Sequence, residues 1–170
     1  MRKIPVADLD ALRSVKMGEF VALEGVLLAM RDRTLARLAE LKKNGEPLPV
    51  PLAGRVVFFA GPTPGLADGR GAVGPTTSRR MAAYLPFLCD TGPVAIIGKG
   101  LFDEKDAERL RSCNILYLQA IGGAGAYYGA RAGGVGAVAF EEYGPEALFE
   151  LTVHDFVVMM TLDGAGAAWR

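Results

Sequence analysis

The stretch Gly74-Pro75-Thr76-Thr77-Ser78-Arg79-Arg80-Met81 sets two threonine hydroxyls and two guanidiniums just after a proline. That is the chemistry of a small-anion site. Pro75 is stiff at φ and favours an extended Gly74, so the chain enters the next element at a fixed angle. Thr76 or Thr77 suits a helix N-cap, with the free first-turn N–H groups behind it. On a helix Arg80 would share their face, because it lies four residues past Thr76 and three past Thr77. Arg31 and Lys99 also follow predicted strands directly, and such positions gather at one edge of an α/β sheet. Two arginines, a lysine and two threonines suit a small dicarboxylate, since a guanidinium fork matches a carboxylate and hydroxyls fix the remaining orientation. The residues alone leave a second reading open, in which the arginines are solvated and the threonine is an ordinary cap.

Phosphate chemistry has weaker support. Gly92-Pro93-Val94-Ala95-Ile96-Ile97-Gly98-Lys99-Gly100 has the outline of a P-loop, but its interior is the apolar run of a strand and Gly100 stands where magnesium binding needs Ser or Thr. Gly123-Ala124-Gly125-Ala126-Tyr127-Tyr128-Gly129 follows a strand and opens a helix, with Glu141 downstream, as a dinucleotide-binding turn requires. Its third glycine comes one residue late, and close helix-to-sheet packing accounts for the same glycines. A nicotinamide-dependent oxidoreductase is therefore disfavoured. Glu141, Glu142 and Glu146 sit at a strand end and a helix start, where exposed acids are common. His154, the sole histidine, has no readable partner.

Of the 170 residues 51% are apolar, and 22 glycines and 10 prolines punctuate the apolar runs without forming a low-complexity tract. Nineteen basic residues balance nineteen acidic ones, which gives neither nucleic acid nor a membrane surface a concentrated positive field to bind. No stretch reaches membrane-spanning length without charges, and the first residues turn polar before a signal-like run can form, so a cytoplasmic location is expected. Cys89 and Cys113 form no CxxC pair and are expected to be reduced, buried thiols. With His154 they would make a poor metal site, so no metal ligand is assigned.

The elements that must position these groups alternate along the chain. Leu9, Leu12 and Val15 predict a short helix over 6–15. The run from Phe20 to Leu28 predicts a buried strand, after which Asp32 caps a helix carrying Leu35, Leu38 and Leu41 and stopping at Asn44-Gly45. Further strands are predicted over 55–60, 94–97, 115–121, 135–140 and 156–162. The Gly- and Pro-rich segment 61–71 predicts a loop, and Pro86 is expected to kink or end the helix that follows Thr77. A charged, mostly exposed helix is predicted over 103–112, and a short helical turn at Gly144-Pro145-Glu146-Ala147. This alternation implies a layered α/β domain over 1–170, with 1–19 as an N-terminal extension.

Six short motifs recur in a fixed order: Ala29-Met30-Arg31-Asp32, Gly61-Pro62-Thr63-Pro64, the stretch from Gly74 to Met81, Ile97-Gly98-Lys99-Gly100, Ala120-Ile121-Gly122-Gly123-Ala124 and Gly144-Pro145-Glu146-Ala147. Together they resemble the β subunit, or C-terminal domain, of class I fumarases and the related tartrate dehydratases, from about Phe20 to Asp163. Arg79 stands where fumarases commonly have glycine.

The resemblance implies a swivelling β/β/α domain with a layered mixed sheet and flanking helices. It implies a cytoplasmic hydro-lyase that hydrates a dicarboxylate reversibly, fumarate to (S)-malate first, with tartrate dehydration as the alternative. The family's [4Fe-4S] cluster is held by three cysteines of an α subunit, none matched here, so an α2β2 assembly is implied. Arg31 and Arg80 would bind substrate carboxylates, Lys99 would add a positive group, and Thr77 would touch substrate. Thr76 would help move the proton at the substrate carbon, with an aspartate of the α subunit. A bare threonine hydroxyl is too weak a base to do so unaided. A dicarboxylate-binding domain without chemistry would use the same basic pocket.

Overall fold

Eleven residues from Phe20 to Met30 form a strand that pairs directly with three others, and the computed structural model describes residues 1–65 and 71–169 around it. The run is apolar on both faces apart from Glu24 and Gly25, as a strand buried on both sides must be. Chain order gives β1 (Arg2–Pro5), α1 (Leu9–Arg13), β2 (Phe20–Met30), α2 (Asp32–Lys43), β3 (Val56–Pro62) and β4 (Val73–Pro75). A 3-10 helix (Ser78–Tyr84) then runs into α3 (Leu85–Thr91), followed by β5 (Ala95–Gly98), α4 (Glu104–Ser112), β6 (Leu116–Gln119) and α5 (Gly125–Gly129). The chain ends with β7 (Ala132–Ala139), a 3-10 segment (Glu141–Glu146) and the long β8 (Leu148–Leu162).

β1, β3, β5 and β6 extend β2 by parallel pairing, whereas β8 lies antiparallel to both β2 and β6. The pairings β2–β3–β5–β6–β8 therefore return to β2 and close a ring. Alternate residues of these strands serve two cores. Val21, Leu23, Val56, Phe58, Ile97 and Leu118 meet Phe156 and Val158 of β8 in one cluster. Leu28, Met30, Val57, Phe59, Ile96 and Tyr117 turn the other way, against Leu35 and Leu38 of α2, Met81, and Leu85 and Leu88 of α3. β8 gives the first core Leu151 and Val153, then Phe156, Val158 and Met160, so the inward face changes parity at Asp155, whose φ of 46° accompanies a bulge. That extra residue keeps the apolar side inward where β2 shifts register at Gly25.

Several elements depart from what the sequence predicts. Arg2–Pro5 forms a strand, not predicted, ahead of the expected helix, and Ile4, Val6, Leu12 and Val15 enter the first core. Gly61 and Pro62 belong to the end of β3 and pair with β4, so the predicted loop begins as a hairpin; its residues 66–70 lie outside the described ones. β8 starts eight residues earlier than the predicted 156. The helix after Thr77 does end, at Tyr84, and Pro86 then sits in the first turn of α3, where an N–H has no intrahelical partner to lose. Asn44-Gly45 does stop α2: Gly45 at φ 72° lets Glu46 N donate to Leu41 O and Gly45 N to Lys42 O.

Cys89 and Cys113 are not free thiols but a disulfide, with Cα atoms 5.4 Å apart. Only the packing of α3 on α4 brings them together, so 24 residues of separation hid the pair. No described helix is long and apolar enough to cross a membrane.

Candidate active site

β2, β3 and β5 run parallel, so their C-terminal ends meet on one side of the sheet. Arg31 follows β2 and caps α2 with extended backbone, φ −132° and ψ −166°. Lys99 follows β5. The chain returns to the same edge after β4, where Thr76 N donates to Phe59 O at 2.7 Å. There Lys99 N donates to Thr76 O at 3.1 Å and Ser78 N donates to Lys99 O at 3.0 Å, a parallel bridge that sets Thr77 opposite Lys99.

The arginines are held by carboxylates. Arg80 Nη2 donates to both carboxylate oxygens of Asp32 at 3.0 Å, which places the Arg80 head beside the start of α2 and so beside Arg31. Arg31 Nη2 lies 3.5 Å from Glu146 Oε1, while its Nε is buried without a partner. A β-carbon on Gly61 would overlap the carbonyl of Pro145 and come within 2.9 Å of Arg31 Cδ, so only glycine lets β3, Arg31 and the 141–146 segment pack this closely. Gly122 carries the Lys99 stem in the same way, its would-be β-carbon 3.2 Å from Lys99 Cδ. The Lys99 ammonium makes no hydrogen bond or ion pair among the described residues, and neither do the hydroxyls of Thr76 and Thr77. Thr76 is only 6% exposed.

Unspent donors and hydroxyls thus collect at one edge. An anion arriving there would meet the Nε of Arg31, the free nitrogens of Arg80 and the ammonium of Lys99, which together suit two carboxylates. Exposed ion pairs such as Arg80–Asp32 contribute little stability, roughly 0–1 kcal/mol, so this one matters for aim.

The caps are arranged differently from expectation. Thr77 does precede a helix, but a 3-10 one, and no threonine hydroxyl caps it. Asp32 is not the N-cap of α2 either; it occupies the first turn and spends its carboxylate on Arg80. Both differences leave functional groups free for the pocket. Arg79 and Glu141 and Glu142 are exposed, and His154 is exposed on β8, where its backbone N–H bonds to Arg131 O. Glu146, by contrast, is drawn in by Arg31. Sequence reasoning missed Asp32 and Glu146 as partners of the arginines, and no local signal could reveal them: Asp32 and Arg80 are 48 residues apart. Among the described residues no group of three or more His, Cys, Asp or Glu is placed to hold a metal ion.

Known proteins are similar to this sequence. The family model of the fumarase C-terminus matches residues 2–169. The chain is 33% identical to Fumarate hydratase 2 of Leishmania major over 160 residues, which are 91% of this chain and 28% of that protein. It is 31% identical to the aerobic class I fumarate hydratase of Escherichia coli (strain K12) over 151 residues, 86% of this chain and 27% of that one. It is also 31% identical to the L(+)-tartrate dehydratase subunit beta of Escherichia coli (strain K12) over 126 residues, 69% of this chain and 61% of that subunit. The chain therefore spans less than a third of those fumarate hydratases.

Proposed function

We propose, from the premise that the chain belongs to the fumarase C-terminus family, that it is the β subunit of a two-subunit iron-sulfur hydro-lyase. Its reaction is the reversible hydration of a dicarboxylate, fumarate to (S)-malate first. The observation that carries this proposal is the meeting of Arg31, Arg80, Lys99, Thr76 and Thr77 at one sheet edge, with Arg31 Nε left unpaired.

In this proposal Arg31 and Arg80 each clamp a substrate carboxylate, with Asp32 and Glu146 holding the guanidiniums in place when substrate is absent. Lys99 adds positive charge between them, and Thr77 contacts substrate. Thr76 hands a proton to or from the substrate carbon through its free hydroxyl, assisted by a carboxylate from the partner, because a hydroxyl alone is too weak a base near neutral pH. The enclosure of Thr76 keeps bulk water from competing for that proton. The chain's own donors do not fit a [4Fe-4S] cluster, since its two cysteines are bonded to one another and such clusters need thiolate ligands. We therefore place the cluster on an α subunit, in an α2β2 assembly. Two cores around a shared sheet favour the swivelling β/β/α architecture, as one domain over 1–170. A cytoplasmic setting completes the proposal.

The test is co-expression with an α subunit bearing the cluster cysteines, anaerobic reconstitution and a hydration assay over fumarate, malate and tartrate. Activity of the pair and none of either chain alone is expected. Inactivity of the reconstituted pair on all three would refute the hydro-lyase. The tartrate dehydratase reading rests on the subunit-length match, and tartrate turnover above fumarate turnover would select it. Tight dicarboxylate binding by the isolated chain, read by calorimetry, would favour a binding domain without chemistry.

A further inference from the structure

Behind the site, where Thr76–Ser78 crosses Lys99–Gly100, two hydroxyls are buried away from all solvent. Ser78 is 0% exposed and Tyr117, on β6, is 3% exposed. Their oxygens lie 2.6 Å apart, and the Tyr117 hydroxyl also reaches the carbonyl of Gly100. The proton order follows from the acceptors. A carbonyl can only accept, so the single Tyr117 proton goes to Gly100 O and Ser78 must donate to Tyr117 Oη. Burial pushes the Tyr117 hydroxyl above its ordinary value, which keeps it protonated and donating at every physiological pH.

The surroundings are shaped to this pair. Gly98 lacks a β-carbon, and one placed there would overlap Ser78 Oγ and sit 3.2 Å from Tyr117 Oη. The Tyr117 main-chain carbonyl accepts from Thr161 Oγ1 of β8, and its ring stands 5.0 Å from that of Phe102, so backbone and side chain each have a support. Only two backbone hydrogen bonds otherwise join the 76–78 and 99–100 segments, Lys99 N to Thr76 O and Ser78 N to Lys99 O. The hydroxyl chain adds a third tie from the protein interior. It costs nothing in exposed polar groups, because both hydroxyls are satisfied.

We propose that Tyr117 and Ser78 are positioning residues: through Ser78 Oγ, Tyr117 Oη and Gly100 O they hold Thr76, Thr77 and Arg80 in register with Lys99. Neither residue touches substrate. The role rests on the hydro-lyase reading for its catalytic consequence, but the register itself belongs to this chain alone.

Two measurements on Tyr117→Phe separate the claims. In the chain alone, amide hydrogen exchange reads the register: the N–H groups of Lys99 and Ser78 should exchange faster by roughly tenfold or more, while those of the β2–β8 ladder stay unchanged. In the reconstituted αβ enzyme, kcat should fall about 10- to 100-fold with KM moving far less, since a misplaced Thr76 is felt in the transition state. A role in general stability would instead quicken exchange throughout the sheet and leave turnover per folded enzyme intact. Ser78→Ala removes the same tie without disturbing the ring, and it decides the matter if Tyr117→Phe does not fold. Exchange that stays unchanged at Lys99 and Ser78, or that rises equally in β2 and β8, overturns the proposal. A wild-type pair that hydrates no dicarboxylate overturns the hydro-lyase, while the exchange arm still decides the register.

Discussion

β3 joins two ends of the molecule that differ in kind. At its start, Arg55 and Val56 help line a cavity of about 660 Å³ whose other walls include Val6, Leu9 and Val26, and its charges are already matched, with Arg55 Nη2 donating to Glu150 at 2.7 Å. At its far end, Gly61 packs under Arg31, whose Nε is buried and unpaired, and the Lys99 ammonium has no partner among the described residues. The roomy end is electrostatically finished and the crowded end is not. Under the proposed function volume alone does not mark chemistry; cations with unspent donors, held by glycine-tight packing, do.

The sharpest way to break this contrast is to remove charge or hydroxyl at each end. Thr76→Ala or Arg80→Ala should lower kcat/KM of the reconstituted enzyme by roughly 10²- to 10⁴-fold with the circular dichroism spectrum unchanged, whereas Arg55→Ala should leave turnover intact and cost about 0.2–1 kcal/mol of stability. Comparable losses at both ends would erase the distinction. Glycines give a second comparison along the same strand. Gly61→Ala must push aside the Pro145 carbonyl and Arg31, so it should destabilise by about 1–3 kcal/mol and raise KM as well. Gly54 has φ 71° and open space around it, so Gly54→Ala should cost about 1–2 kcal/mol through backbone strain alone and leave KM unchanged.

The smallest effect is a pH dependence at the site end. Tyr128 donates to Val157 O and accepts from Ile121 N, so it ties the loop after β6 to β8. Burial pushes its hydroxyl up from 10.0 to about 12. The unfolded chain therefore loses this proton first, and the stabilisation, complete below pH 10, fades as pH rises toward 12. Urea midpoints measured over that interval should fall, and Tyr128→Phe should make that fall shallower. An identical alkaline profile in the variant would show that Tyr128 is not the group responsible.

Much of the site was legible from local chemistry. Arg31 and Lys99 were placed correctly because a strand followed at once by a cation needs only the apolar run to be recognised. α2 and its stop were readable from leucine spacing and Asn44-Gly45. The errors share one cause. Ser78–Tyr84 winds as a 3-10 helix, Gly61 ends a strand, and the two cysteines bond, each because a neighbour distant in sequence supplies the partner.

By itself, the sequence determined which residue types could grip a dicarboxylate, the strands that Arg31 and Lys99 follow, and the family to which the ordered motifs belong. Those properties are carried by residue type and spacing. Only the tertiary structure decided that Asp32 aims Arg80, that Glu146 approaches Arg31 and that Ser78 meets Tyr117 across 39 residues. Hydrogen bonds act over about 3 Å, so their pairing follows from how the strands close into a ring and not from any pattern along the chain.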